Sequence, residues 1–562
     1  MQIVKKNILH KAGLLLAALL ILIISENSMS QTGNDFEISK NLDVFSDLYK
    51  EIELNYVDDI NPGEFLLSGI KSMLKELDPY TVFIPESQIE DYKFMTTGKY
   101  GGIGAMIHRK DDYIVISQPY QGFPVDKAGL KAGDKILEIN GQSTIGRSIP
   151  DINLILKGQS GSNIRFLIER YGETEPFEKS LNREVVKIDN IPYYGMLKDN
   201  VAYIKLTGFT MNAGNEFKEA FEELREKNEV KGIICDLRGN GGGLLHEAVN
   251  ISNIFVGKGK LIVSTKGKLR DKNNSYKTTM KAVDTNIPLI VLVDKSSASA
   301  SEIVAGAMQD LDRGIVLGQR SFGKGLVQNV LPLSYNNQVK VTVAKYYIPS
   351  GRCIQAVDYS HKDEDGHFGN IPDSLITAFK TENGRVVYDG GGVEPDVVIT
   401  PVKYSNIVRN LLSQFMIFDY ATKYAYEHDS IPGPKEFEIN DQIFNDFKTF
   451  LKERKFKYTT DSEYALERLK NYCTKESYFD DIKDDYETLS NRLRNKKNDD
   501  FDKYSNLIKS LLKEEIIIRY YYNKGRIIAS LASDPEILKA IEVINDKEMY
   551  DSILAGTYES VE

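Results

Sequence analysis

A chain of 562 residues exceeds the roughly 100–200 that one hydrophobic core organises, so three or more domains are expected. With 41% hydrophobic, 10% aromatic and 27% charged residues it is a globular composition, which excludes wholesale disorder, a collagen-like fibre and a polytopic membrane protein. A net charge of -10 argues against nucleic acid as a partner. Three scattered cysteines and six histidines without CxxC or HExxH spacing imply neither a disulfide framework nor a metal site.

At the amino terminus Lys5, Lys6 and Lys11 precede an apolar run from Ala12 to Ile24, and small Ser28 and Ser30 follow. This is the pattern of a secretory signal over residues 1–30. Its apolar run is shorter than the roughly 20 residues of a spanning helix. The alternative is a retained membrane anchor; on either reading the body is exported, to the periplasm or cell envelope.

Val44, Phe45, Leu48, Tyr49 and Ile52, then Phe65, Leu66, Ile70, Met73 and Leu74, recur at three- and four-residue intervals around Asn61-Pro62-Gly63. Two amphipathic helices are expected. Gly101-Gly102-Ile103-Gly104 then opens a small module of strands that ends near Leu181. From Val201 strands 201–206, 232–236, 288–293 and 314–317 alternate with helices 216–226, 244–255 and 301–309, the pattern of an α/β layer whose loops carry function. Beyond Thr400 helical spacing dominates, as in Ile537, Leu538, Ile541 and Ile544 after Ser533-Asp534-Pro535. The charge run 492–502 reads as a solvated face.

The apolar strand ending at Val293 passes through Asp294-Lys295-Ser296-Ser297-Ala298-Ser299-Ala300-Ser301-Glu302 into a helix. Such a turn exposes a hydroxyl beside free N–H groups and the positive end of a helix dipole, where an acyl-transfer nucleophile belongs. Alone, however, these serines read more readily as helix caps assisted by Glu302, and a second feature is needed to overturn that reading. Asp236-Leu237-Arg238-Gly239-Asn240-Gly241-Gly242-Gly243 lets backbone N–H groups face an anion, as an oxyanion hole, a phosphate site or a simple turn. The segment from Gly318 to Lys324 imitates a nucleotide-binding P-loop. Gly325 stands where a hydroxyl is needed, and strand-like Leu326-Val327-Gln328-Asn329-Val330 follows, so that reading is rejected. Desolvation on this glycine-flanked loop would instead let Lys324 act as a base toward a serine. His246 lies in the helix after the glycine loop and is a poor competitor for that role.

Taken together these motifs resemble those of the carboxyl-terminal processing peptidases, or tail-specific proteases, of the S41 serine peptidase family. The resemblance spans Phe45 to Thr400. It runs through Leu77-Asp78-Pro79-Tyr80, Gly101 to Gly104, Ala128-Gly129-Leu130-Lys131-Ala132-Gly133-Asp134, Asp236 to Gly243, Ser297 to Asp310, Ser321 to Gln328 and Gly392-Val393-Glu394-Pro395-Asp396. One departure is Gly241, where many relatives have proline.

The resemblance implies Ser299 as nucleophile, Lys324 as base, Asp310 as a relay carboxylate and Gln328 as the residue that orients the lysine. It also implies the backbone N–H groups of Gly243 and Ala300 as the oxyanion hole. The implied fold is multidomain α/β. A signal or anchor (1–30) and an N-terminal helical segment (31–95) precede an inserted PDZ domain (96–182), a ClpP/crotonase-like catalytic core (183–402) and a helical C-terminal domain (403–562). Gly101, Gly102, Ile103 and Gly104 would capture the carboxylate of a protein tail, with Ile103, Met106 and Ile107 lining an apolar pocket. The expectation is an exported serine endopeptidase that needs no cofactor or metal and binds protein or peptide substrates through their C-termini, with membrane attachment only through the N-terminal segment. The rival is a non-catalytic PDZ scaffold of the cell envelope.

Overall fold

The computed structural model describes residues 35–363 and 365–558; the signal or anchor expected over residues 1–30 lies outside them. No helix among the described residues is long and apolar enough to cross a membrane. The chain divides into two compact units after Phe83.

In the first unit residues 35–55 are helical, and a second helix, Pro62–Leu74, starts where Asn61 Oδ1 accepts the N–H groups of Gly63 and Glu64. Proline at the first helical position has no N–H to leave unpaired, which sharpens this start. Tyr49 joins the two helices: its hydroxyl donates to the Pro62 carbonyl at 2.6 Å and its ring meets Phe65 at 5.7 Å.

The second unit begins with the small strand module. Strands Ala105–Lys110, Tyr113–Pro119, Lys135–Ile139, Asn163–Glu169 and Phe177–Asn182 pair in that order, each antiparallel to the next, so Ala105–Lys110 is an edge. Alternation places Ile114, Ile116, Ile136, Ile164 and Phe166 on one face, where they pack with Ile103 and with Ile152 of helix Ile149–Leu156. The opposite face carries His108, stacked on Phe415 at 4.5 Å, and Lys110, paired with Asp419 at 2.6 Å. Both partners flank the start of helix Met416–Glu427. The long helix Ser505–Leu531 is interrupted at Tyr522, whose positive φ of 54° is unfavourable for a bulky side chain. The Tyr522 hydroxyl donates to Asp126 Oδ1 of the module at 2.6 Å.

The α/β layer is a six-stranded sheet in the order Tyr193–Met196, Val201–Lys205, Gly232–Asp236, Leu289–Val293, Ile315–Gly318, Val397–Val398. The first pair is antiparallel and the rest are parallel. Its strands read as unbroken apolar runs because both faces are covered. Ile204, Ile233, Cys235 and Val291 face helices Ala213–Lys227, Leu245–Phe255 and Ala300–Asp310. Tyr203, Ile234, Ile290 and Leu292 face the other way, onto Ile537, Ala540, Val543, Ile544 and Tyr550 of the two last described helices, Pro535–Asn545 and Lys547–Ala555. A Cβ on Gly232 would stand 2.4 Å from Ile544 Cγ2, so a glycine is what lets this helix approach. The segment after Thr400 is helical as expected, but it serves two cores. Its earlier helices bury Tyr420, Phe447, Leu512 and Ile516 among themselves, while its end completes the sheet.

A second, antiparallel sheet contains Asn274–Lys277, Leu261–Gly267, Gln338–Tyr347 and Leu326–Pro332. The last of these begins directly after Gly325 as a strand, consistent with rejection of the P-loop.

Candidate active site

Strand Leu289–Val293 leads through a tight turn into helix Ala300–Asp310, with half-buried Ser299 at the junction. Ser299 has φ 57° and ψ -111°, outside the regions a serine ordinarily occupies. Such strain persists only where the surroundings over-determine it.

The glycine loop is one such surrounding. Asn240 O accepts Ala298 N–H at 3.0 Å and Ser301 Oγ at 2.9 Å, Leu237 O accepts Ser297 Oγ at 2.8 Å, and Asp294 Oδ1 accepts Gly239 N–H at 3.0 Å. Gly242, at φ 99°, lies directly against the turn: a Cβ there would stand 2.9 Å from Ser299 Cβ and 3.0 Å from Ala300 N. Gly242 N–H is held by Asn240 Oδ1, whereas Gly243 and Ala300 have no protein acceptor for their N–H groups among the described residues. Asp236 and Arg238 anchor the start of the loop. Burial opposes ionisation of Asp236, but Lys205 and Arg238 outweigh it and hold the carboxyl below the usual range. Arg238 also pairs with Asp534 at 2.8 Å and with Glu536, tying the loop to the helix that covers the sheet.

The second surrounding is Glu302, fully buried on the first turn of the helix. Its Oε2 accepts the N–H of Ser299 at 2.8 Å and that of Lys324 at 2.9 Å, and its Oε1 accepts the Ser321 hydroxyl and the Gly323 N–H, both at 2.6 Å. One carboxylate therefore joins the serine turn to the lysine loop. Burial raises its pKa against the opposing pull of these four donors. Phe322 N–H to Ser297 O, at 3.0 Å, adds a direct link. Sequence reasoning assigned Glu302 to capping, and the serine-to-glutamate spacing of a capping box was the only local signal for it.

The structure brings Ser299, the half-buried Lys324, Gly243 and Ala300 to this one junction. It does not bring Asp310 there. That residue ends the helix, about 15 Å along the axis from Ser299. It lies 2.9 Å from Arg352 Nη2 and accepts Ser350 N–H at 2.9 Å, in contrast to the expected relay. Gln328 donates to Thr342 Oγ1 at 3.2 Å on the neighbouring strand. His246 is exposed and meets Tyr276 edge-on.

In the strand module Gly101 and Gly102 lie in strand Lys99–Gly102, paired antiparallel with Glu184–Lys187. Ile103 is 3% exposed and packs in the module's core instead of lining a pocket, Ile107 packs against that core, and Met106 is exposed. The Ile103 carbonyl accepts Val125 N–H, so Gly104 N–H, trans to it across a planar peptide, turns away from that contact.

Three family models match the chain: peptidase family S41 over residues 200–361, a PDZ domain over 115–170, and the C-terminal helical domain of a probable PDZ-protease over 407–544. The carboxy-terminal-processing protease of Bartonella bacilliformis is 32% identical over 63% of this chain and 81% of its own length. The carboxy-terminal processing protease CtpA of Bacillus subtilis is 32% identical over 60% of this chain and 72% of its own. Among solved structures, the photosystem II D1 C-terminal processing protease aligns over 64% of this chain and 92% of its own, at 26% identity and a TM-score of 0.36. With its serine turn, lysine loop and PDZ module carried on one chain, this protein belongs to peptidase family S41, among the carboxy-terminal processing proteases, and is a serine-type peptidase.

Proposed function

We propose that the chain is an exported endopeptidase of the periplasm or cell envelope that cuts peptide bonds with a Ser299–Lys324 dyad on a ClpP/crotonase-like core. The observation that carries this reading is the Glu302 carboxylate, which holds the backbone of both residues at once. In the proposed mechanism the neutral Lys324 amine takes the Ser299 hydroxyl proton as Oγ attacks the substrate carbonyl. The resulting oxyanion is met by the free N–H groups of Gly243 and Ala300. Lys324 then returns the proton to the leaving amine, and the acyl ester formed on Ser299 is released by a water that the same amine deprotonates. Asp310 is assigned to anchoring the helix end. Gln328, in the strand that follows the lysine loop, is assigned to orienting Lys324, and the module at about 96–182 to reading the substrate's tail.

Hydrolysis of casein by the chain without its first 30 residues separates this reading from a non-catalytic scaffold, which would leave casein intact. A lysine base also fixes the sign of the pH dependence. Turnover rises with pH as the ammonium, whose reference pKa is about 10.4, gives up its proton. A profile set by a group near 6.5 and removed by His246→Ala would instead make histidine the base.

Tail reading is supported by the edge strand Ala105–Lys110, to which an extended peptide can add. Two peptides identical except for a free carboxylate or an amide at the end test it. The Ser299→Ala chain is expected to bind the carboxylate form at least about tenfold more tightly, through charge-assisted hydrogen bonds. Equal affinity would move selection to the catalytic cleft.

A further inference from the structure

Tyr346 lies in strand Gln338–Tyr347 of the second sheet, and no motif in the sequence singles it out. It is 1% exposed, and its two polar groups reach the two halves of the dyad. Its N–H donates to the carbonyl of Gly325, the residue after Lys324, at 2.9 Å. Its phenol donates to the carbonyl of Ser299 itself at 3.2 Å. Burial, then the nearby Glu302 carboxylate, raises the phenol's pKa well above its ordinary value, so it stays a neutral donor wherever the enzyme works.

We propose that the Tyr346 hydroxyl is a positioning residue for the peptidase reaction, one that holds the serine turn in its strained, attack-ready conformation. The inference rests on the Ser299–Lys324 reading. Ser299 N–H is fixed by Glu302, and the carbonyl on its other side is fixed by Ile303 N–H, at 2.9 Å, together with the phenol. Of these two donors to the carbonyl, the helix amide would persist in any helical turn. The phenol is the one that ties this residue to strand Gln338–Tyr347, the strand whose Tyr346 N–H also holds the end of the lysine loop. Losing it frees the peptide plane after Ser299 to relax toward an ordinary conformation, which displaces Oγ from the lysine and Ala300 N–H from the oxyanion position. A displacement of about 1 Å at a reacting atom costs roughly a hundredfold in rate.

The test is Tyr346→Phe, which removes one oxygen from an otherwise unchanged ring, in the full soluble chain. The expected result is a kcat lowered at least tenfold with KM within twofold, and the same fall in the rate at which a fluorophosphonate labels Ser299. Tyr420→Phe is the control. That tyrosine is also buried and hydrogen-bonded, to the Ile443 carbonyl and Asp446, but in the helical domain, and its loss should leave kcat unchanged. A Tyr346→Phe enzyme with wild-type kcat and labelling rate overturns the inference. So does one whose kcat falls no further than that of Tyr420→Phe, since that marks general destabilisation. Ser299→Ala judges the underlying reading separately: if it keeps activity and labelling, the dyad assignment fails, whatever Tyr346 does.

Discussion

Ser299→Ala and Lys324→Ala are each expected to lower kcat by at least about a thousandfold while leaving far-UV circular dichroism unchanged, and the double variant should be no worse than either single one. In the proposed mechanism nucleophile and base act on one proton in one step, so removing the second after the first removes nothing further. Both side chains are only half-buried at the junction, so truncation opens no cavity in the core beneath them. Ser297 and Ser301 stand in a different position. Their hydroxyls donate to Leu237 O and Asn240 O and fasten the glycine loop, so their alanine variants should weaken folding and retain measurable turnover. A Ser299→Ala enzyme with near wild-type turnover would sink the mechanism.

The second large effect is expected at Glu302. Glu302→Ala leaves four donors without their acceptor in a buried site: the N–H groups of Ser299, Gly323 and Lys324 and the hydroxyl of Ser321. At about 1–3 kcal/mol for each unmet buried group, the cost is of order 4 kcal/mol or more, visible as a lower denaturation midpoint. Activity should fall at least a hundredfold, because the serine turn and lysine loop lose their common support. Glu302→Gln keeps the shape and one acceptor oxygen but turns an NH2 group toward donors, so it should fold better than alanine and still be impaired. Since burial raises the carboxyl's pKa, the folded chain binds its proton more readily than the unfolded one. Stability therefore declines as pH rises from the ordinary glutamate range of about 4.3 toward the raised value, and Glu302→Gln should flatten that slope. Unchanged stability and turnover in Glu302→Ala would show that the two loops hold themselves.

The four central strands of the parallel sheet were legible because residues buried on both faces write continuous apolar runs, as at Leu289–Val293, whereas its two edges, Tyr193–Met196 and the two-residue Val397–Val398, carry no such run. The two N-terminal helices were legible from periodicity and from Asn61-Pro62-Gly63. What local pattern does not encode is which distant surface an amphipathic helix covers. Ile537 and Ile544 look like any helix face, yet they cover the sheet that carries the serine strand. Ser299 and Lys324 could be linked only through the family resemblance. Glu302, which joins them, carried the ordinary signature of a helix start, and Tyr346 had no signature, because its role lies in where two sheets meet. The relay role of Asp310 rested on the resemblance alone; the residue ends the helix that Ser299 begins, and its partners there are Arg352 and Ser350.

The covering of the sheet's second face also orders events in time. Ser299 and Lys324 leave the ribosome well before Pro535–Asn545 and Lys547–Ala555, the helices onto which Tyr203, Ile234, Ile290 and Leu292 pack. Until those helices arrive the nascent catalytic layer has one bare apolar face, and Arg238 waits for Asp534 and Glu536. Such a face attracts chaperones and unwanted neighbours. The glycine loop and the sheet behind it gain these partners only when the end of the helical segment folds back, so a growing chain carries Ser299 and Lys324 in an unfinished scaffold.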